Sequence, residues 1–259
     1  MARFKLTLEY EGTRYSGWQI QKNARTVQGE MLKALERVLK LQDIELYGAG
    51  RTDAGVHALG QVAHVDAQTV LAPHILRMKL NDELPSDINV LHVEKVPKSF
   101  HARYDAVARQ YLYQISRRRT AFGKRFVWWV KDTLNLEQMR AAARLFVGEY
   151  DFRSFTAADL GGQSTQVALD MLSLQEVGNL ILIRIRGSRF LWKMVRQMVG
   201  ILVEIGRGAL PPDIIHDLLE HYSTMPAAYT APPSGLFLER VFYKQDTLDV
   251  AAEPVMYIH

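Results

Sequence analysis

The feature that most limits what this chain can fold into is a hydrophobic period that switches back and forth in a repeated order. Phe4, Leu6, Leu8 and Tyr10 alternate with Lys5, Thr7 and Glu9, the pattern of a strand with one buried face. After a loop containing Gly12 and Gly17, Thr26 is placed to cap a helix whose Val27, Met31, Leu35, Val38 and Leu39 recur at helical spacing. Strands near Ile44 to Ala49 and Gln61 to Asp66, a short helix from Pro73 to Leu80 and a strand from Ile88 to Val96 complete the order β-α-β-β-α-β. The order then returns as strand Tyr111 to Ser116, helix Leu136 to Phe146, strands Val167 to Val177 and Leu180 to Arg186, helix Arg189 to Ile205 and strand Leu236 to Tyr243. One extra helix, about Ile214 to Tyr222, is inserted. Asn135 followed by Gln138 has the form of a capping box, while Gly206 and Pro211 mark where the last long helix stops.

Two tandem units of this kind predict an α+β fold of two ferredoxin-like (RRM-like) halves, residues 1–102 and 103–259, related by a pseudo-twofold. Their strands would form one mixed, largely antiparallel sheet with helices on one side and a central catalytic cleft. With 48% apolar residues in 259, a packed core is expected. The absence of cysteine excludes disulfides, thiolate nucleophiles, iron-sulfur clusters and Cys-based zinc sites, and fits a reducing compartment. Met1 to Tyr10 carries Arg3 and Lys5 within its alternation and has no unbroken apolar stretch, so a cytoplasmic protein with no membrane segment is expected. The excess of 32 Lys+Arg over 28 Asp+Glu is compatible with a polyanionic partner. His57 and His64 lack partners at metal-ligand spacing and read as structural, so no metal is expected.

Chemistry concentrates in Gly48-Ala49-Gly50-Arg51-Thr52-Asp53-Ala54-Gly55-Val56-His57, where three glycines surround a charged pair just after a strand. The dinucleotide fingerprint fails here, because Asp53 stands where it needs a third glycine and Gly60 to Asp66 alternate as a strand. A P-loop fails too, since Gly55 is followed by Val56-His57 instead of a Lys-Ser or Lys-Thr pair. What is left is a short acid on a Gly-flanked turn beside Arg51. It can be aimed into a cleft and kept ionised by a cation, or it can simply satisfy backbone donors as an Asx-turn.

Gly50 to Ala58 resembles the tRNA pseudouridine synthase A family, and further segments match in order: Tyr10-Glu11-Gly12 through Tyr15-Ser16-Gly17-Trp18-Gln19, Thr26-Val27-Gln28, Ser99-Phe100-His101-Ala102-Arg103, Arg109-Gln110-Tyr111-Leu112-Tyr113, Met194-Val195-Arg196 and Gly235-Leu236. The resemblance covers nearly the whole chain. It implies isomerisation of uridine to pseudouridine at positions 38, 39 and 40 of the tRNA anticodon arm, with no metal or cofactor. A carboxylate near the anomeric carbon, either attacking it or stabilising a cationic sugar, is the chemical demand, and Asp53 matches that position. Because the uracil must leave its stack to be reached, an aromatic surface is needed, and Tyr111 matches there. Arg196 is implied as the partner that holds Asp53 deprotonated. Arg51 matches the family motif and is open to three roles: pairing with a phosphate, displacing the base or bracing the turn. The family also implies tRNA as partner and a homodimer.

Arg117, Arg118, Arg119, Lys124 and Arg125 form the densest basic run and precede Trp128-Trp129, a composition suited to gripping phosphates along a tRNA path. The tryptophans fit a subunit interface equally well. Ala168 stands where the family pattern has an arginine, which removes one electrostatic contact to phosphate and bears on which uridines are accepted. The tail Ala251 to His259 has no assigned function. Paired ferredoxin-like units also describe non-catalytic RRM proteins, but the RNP1 pattern is missing.

Overall fold

The computed structural model describes residues 1–156, 162, 164–247 and 253–258. They form two compact units, Met1–Val107 with Phe237–Thr247, and Ala108–Leu236 with the described part of Leu248–His259.

In the first unit, β1 (Ala2–Tyr10) runs antiparallel between two neighbours. The chain continues through α1 (Val27–Leu39), β2 (Leu46–Gly48), β3 (His57–Ala67), α2 (Pro73–Glu83) and β4 (Ile88–Val96). β3 pairs with one edge of β1, from Ala2 opposite Ala67 to Tyr10 opposite Ala58, and β4 pairs with the other. The alternation does what the sequence implies, since Phe4, Leu6, Leu8 and Tyr10 are all buried. Thr26 caps α1, its hydroxyl accepting from Gly29 N–H at 3.2 Å. α2 starts at Pro73, whose missing N–H costs nothing in a first turn. It runs on to Glu83, past the expected end at Leu80, because the polar Asn81 is tied in by both ends of its amide to the main chain of Val90, at 2.7 and 3.0 Å. Leu84 is extended, as a residue before Pro85 must be.

The second unit contains β5 (Ala108–Ser116), β6 (Trp128–Trp129), α3 (Leu136–Leu145), β7 (Gly148–Asp151), β8 (Gln166–Val177), β9 (Leu180–Gly187), α4 (Met194–Gly206), α5 (Ile214–Glu220) and α6 (Met225–Ala228). Its strands lie in the order β5-β9-β8-β7, all antiparallel, with the short β6 parallel to β5. β6, β7 and α6 are too short to leave a periodic signal. α4 begins at Met194, not at the expected Arg189. Lys193 adopts the left-handed conformation (φ 61°), which no right-handed helix can include, so the apolar spacing of Leu191 and Met194 continues across a break in the backbone. Asn135 does cap α3, accepting from Gln138 N–H at 3.1 Å, but its own N–H goes to the Gly206 carbonyl at 2.7 Å. This half of a capping box therefore joins the start of α3 to the end of α4.

β10 (Leu236–Phe242) closes the repeated order of elements. From Phe237 onward it belongs to the first unit, where it lies parallel to β3 with Phe237 opposite His57 and Leu238 opposite Ala58. β2 takes the other end of that same edge, at Val65 to Ala63. Each unit is thus a mixed sheet, antiparallel apart from one short parallel pairing. Among the described residues no helix is long and apolar enough to cross a membrane.

Candidate active site

Asp53 lies in the loop between β2 and β3, and this loop is held by main-chain bonds together with a few buried side chains. Ala49 N–H donates to the Val62 carbonyl at 2.7 Å and the Gln61 amide donates to the Gly50 carbonyl at 3.0 Å. The segment after β1 then wraps the rest: Trp18 N–H donates to Thr52 O at 3.1 Å and Gly55 N–H to Tyr15 O at 3.2 Å. The hydroxyls of Tyr10 and Thr52 meet at 2.8 Å in a buried position, and Gly12 N–H donates to His57 Nδ1 at 2.9 Å. That bond needs an unprotonated Nδ1, so His57, 1% exposed and stacked on Phe237 at 4.8 Å, serves as a neutral anchor. The approach is too close for side chains. A Cβ on Gly12 would lie 1.9 Å from Val56 O, and one on Gly17, whose φ is +89°, would lie 2.4 Å from Thr52 O. Val56 N–H closes the turn on the Asp53 carbonyl at 3.1 Å, and the Asp53 side chain is half-buried. Arg51 is exposed and its Nε donates to Gln19 Oε1 at 3.1 Å, so the wrapping segment also guides this cation.

The second unit holds Tyr111 and Arg196. Tyr111 is 8% exposed on β5, with Phe190 edge-on to its ring at 4.9 Å and 80°. Arg196 occupies the first turn of α4 and is half-buried. Its Nε donates to the Ala231 carbonyl at 2.7 Å, while Ala231 N–H donates back to the Arg196 carbonyl at 3.0 Å. Tyr113, two positions along β5 from Tyr111, is fully buried and its hydroxyl donates to the Pro232 carbonyl at 2.8 Å.

A sequence model of the family described as tRNA pseudouridine synthase matches residues 7–105 and 142–244, which takes in the Asp53 loop, its wrapping segment and α4. The chain belongs to the tRNA pseudouridine synthase family. It is 43% identical to the tRNA pseudouridine synthase A of Pseudothermotoga lettingae, over 93% of this chain and 99% of that one. Identity is 44% with the protein of the same name from Thermosipho melanesiensis, over 94% and 100% of the two chains, and 40% with that of Bartonella tribocorum, over the same shares.

Arg117, Arg118, Arg119, Lys124 and Arg125 are all exposed on the segment after β5. Arg117 is engaged by Glu176 at 2.8 Å and by the Gly178 carbonyl at 2.6 Å, whereas Arg119 lies 5.9 Å from the Trp129 ring. Ala168 is exposed on β8 opposite Glu149, with its main chain bonded to Ser188 on both sides. His64 is buried, stacks on Tyr47 and accepts from Ala102 N–H at 3.2 Å. Burial, reinforced by the charges of Arg3 and His101, pushes its pKa down to about 4. Residues 251, 252 and 259 of the C-terminal tail lie outside the described residues. Val255 and Ile258 of that tail dock on Gln114 and Asn179 of the second unit. Among the described residues no three His, Asp or Glu side chains converge as a metal-ligand set.

Sequence reasoning did not find the braces. Tyr10, Gly12, Gly17 and Thr52 build the loop's cage, and Tyr113 with Ala231 and Pro232 builds the seat of Arg196. The paired glycines at positions 12 and 17 were the available signal for the first set, because two glycines in one short loop imply close main-chain approach. Tyr113 carried no such signal, since a core tyrosine and a seat for a cation read alike in sequence.

Proposed function

We propose that this chain converts uridine to pseudouridine in the anticodon arm of tRNA, with the Asp53 carboxylate acting at the ribose anomeric carbon. The reaction breaks the bond from that carbon to N1 of uracil, turns the base and makes a bond to C5. The C5 proton is lost and N1 gains one. A carboxylate serves this sequence by bonding to the electron-poor centre or by stabilising its positive charge. Arg196 is its cationic partner. Tyr111 offers a ring to the uracil once it has been turned out of its stack, an arrangement that enzymes acting on a base within structured nucleic acid require. Arg51 and the exposed basic run Arg117, Arg118, Arg119, Lys124 and Arg125 contact phosphate, where a polyanion gains most from exposed cations.

The observation that carries this reading is the cage around Asp53: seven hydrogen bonds and two close glycine contacts fix the loop that carries one short acidic side chain. An Asx-turn at a hairpin tip would not call for a second segment wrapped around it. The same reading makes the protein a cytoplasmic homodimer, and light scattering that returned the 29.5 kDa of one chain would remove the dimer. The decisive experiment measures tritium release from tRNA labelled at uridine C5. Asp53→Asn is expected to bind tRNA like the parent and release nothing, whereas parent-level release would refute the mechanism.

A further inference from the structure

The seat of Arg196 is more elaborate than a surface arginine needs. After α6 the chain runs Tyr229-Thr230-Ala231-Pro232-Pro233-Ser234-Gly235 and is pressed against both α4 and β5. At Gly200 of α4 a Cβ would come within 1.6 Å of the Tyr229 carbonyl oxygen, and at Gly235 one would lie 2.7 Å from the Tyr113 ring and from the Gln114 carbonyl oxygen. Two consecutive prolines, at 232 and 233, fix φ over the middle of the strap. The strap is tied at both ends of this rigid part. Ser234 donates to the Val127 carbonyl at 3.2 Å and Thr230 to the Ala227 carbonyl at 2.8 Å.

We propose that Tyr113 is a positioning residue for Arg196. Its hydroxyl donates to Pro232 O at 2.8 Å and so fixes the peptide whose neighbouring carbonyl, Ala231 O, accepts from Arg196 Nε at 2.7 Å. Anchoring Nε sets the plane in which the two terminal nitrogens are presented. An arginine has four rotatable bonds, so a seat that removes this freedom in advance spares the cost of ordering it during the reaction. The tyrosine is suited to the task because it stays a donor. Burial pushes its hydroxyl well above the ordinary range, against a smaller opposing pull from the Arg196 charge.

This inference rests on the reading that Arg196 assists Asp53, and a double-mutant cycle separates the two. Tyr113→Phe removes a single oxygen. The single-turnover rate of pseudouridine formation at saturating enzyme is expected to fall about tenfold, with tRNA affinity unchanged, because only the alignment of the reacting groups is disturbed. Arg196→Lys keeps the charge but lacks Nε and is expected to be slower still. In that background Tyr113→Phe is expected to change nothing further. A parent-like rate for Tyr113→Phe, or the same fractional loss in both backgrounds, overturns the positioning role while leaving Arg196 in place. A parent-like rate for Arg196→Lys overturns both. Should Tyr113→Phe not fold, Pro232→Gly keeps both carbonyls while loosening the strap and is expected to give the same loss in rate alone; no loss there overturns the proposal as well.

Discussion

The Asp53 loop and the seat of Arg196 solve the same problem, holding one charged group still, by opposite means. Asp53 is short, so its carboxylate goes where the backbone goes, and the structure fixes the backbone: main-chain hydrogen bonds to the wrapping segment, and glycines at 12 and 17 that let two main chains touch. Arg196 stands on a helix whose backbone is rigid already, and its long side chain is what needs fixing, so a strap carbonyl holds Nε. The length of the functional side chain decides where the supporting residues are placed.

The largest effect is expected at Gly17. Because its φ of +89° and the 2.4 Å approach to Thr52 O both exclude a side chain, Gly17→Ala must displace the loop. Turnover is expected to fall about 100-fold with tRNA affinity held, as measured by single-turnover assay beside filter binding, since small misplacements of a reacting group cost this much. If the variant works at the parent rate, the loop is not positioned by its cage.

Acid provides the next test. His64 is neutral in the folded protein down to about pH 4, whereas in the unfolded chain it takes up a proton near its ordinary 6.5. The unfolded state therefore binds more protons between those values, and stability is expected to fall as pH drops through that window and to be fully restored above it. The loss is expected to be about 1–3 kcal/mol at pH 4.5, at about 1.4 kcal/mol per unit of pKa difference. Urea midpoints at pH 7 and 4.5 should show it in the parent. They should show less of it in His64→Gln, which keeps an acceptor for Ala102 N–H but does not titrate.

Smaller effects sharpen the picture. Tyr10→Phe deprives the buried Thr52 hydroxyl of the Tyr10 partner, and a stability loss of about 1–2 kcal/mol by urea unfolding is expected. Within the basic run, Lys124→Ala is expected to reduce the slope of log affinity against log salt by about 0.7–0.9. Arg117→Ala should reduce it less, because that cation is already engaged by Glu176. Equal slopes for the two variants would show that Arg117 leaves Glu176 when RNA binds.

The sequence by itself determined the elements with long, regular patterns. β1 and α1 were legible because one buried face dictates their period, as was β4, and Thr26 and Pro73 announce their helices through their own backbone chemistry. The loop of Asp53 was legible as a constrained segment because its glycines are a local requirement. Where the pattern and the backbone disagree, as between Arg189 and Lys193, the apolar spacing continued while a left-handed residue ended the helix. Asn81 was drawn into α2 by bonds to a strand nine residues away in sequence, which no local pattern records. Only the tertiary structure decided that the last strand sends Phe237 against His57, that Tyr10 reaches Thr52, and that Tyr113 reaches the strap behind Arg196. Local periodicity reports which side of an element is buried; it holds no information about which distant main chain will arrive there to be bonded, and those arrivals hold the charged groups in place.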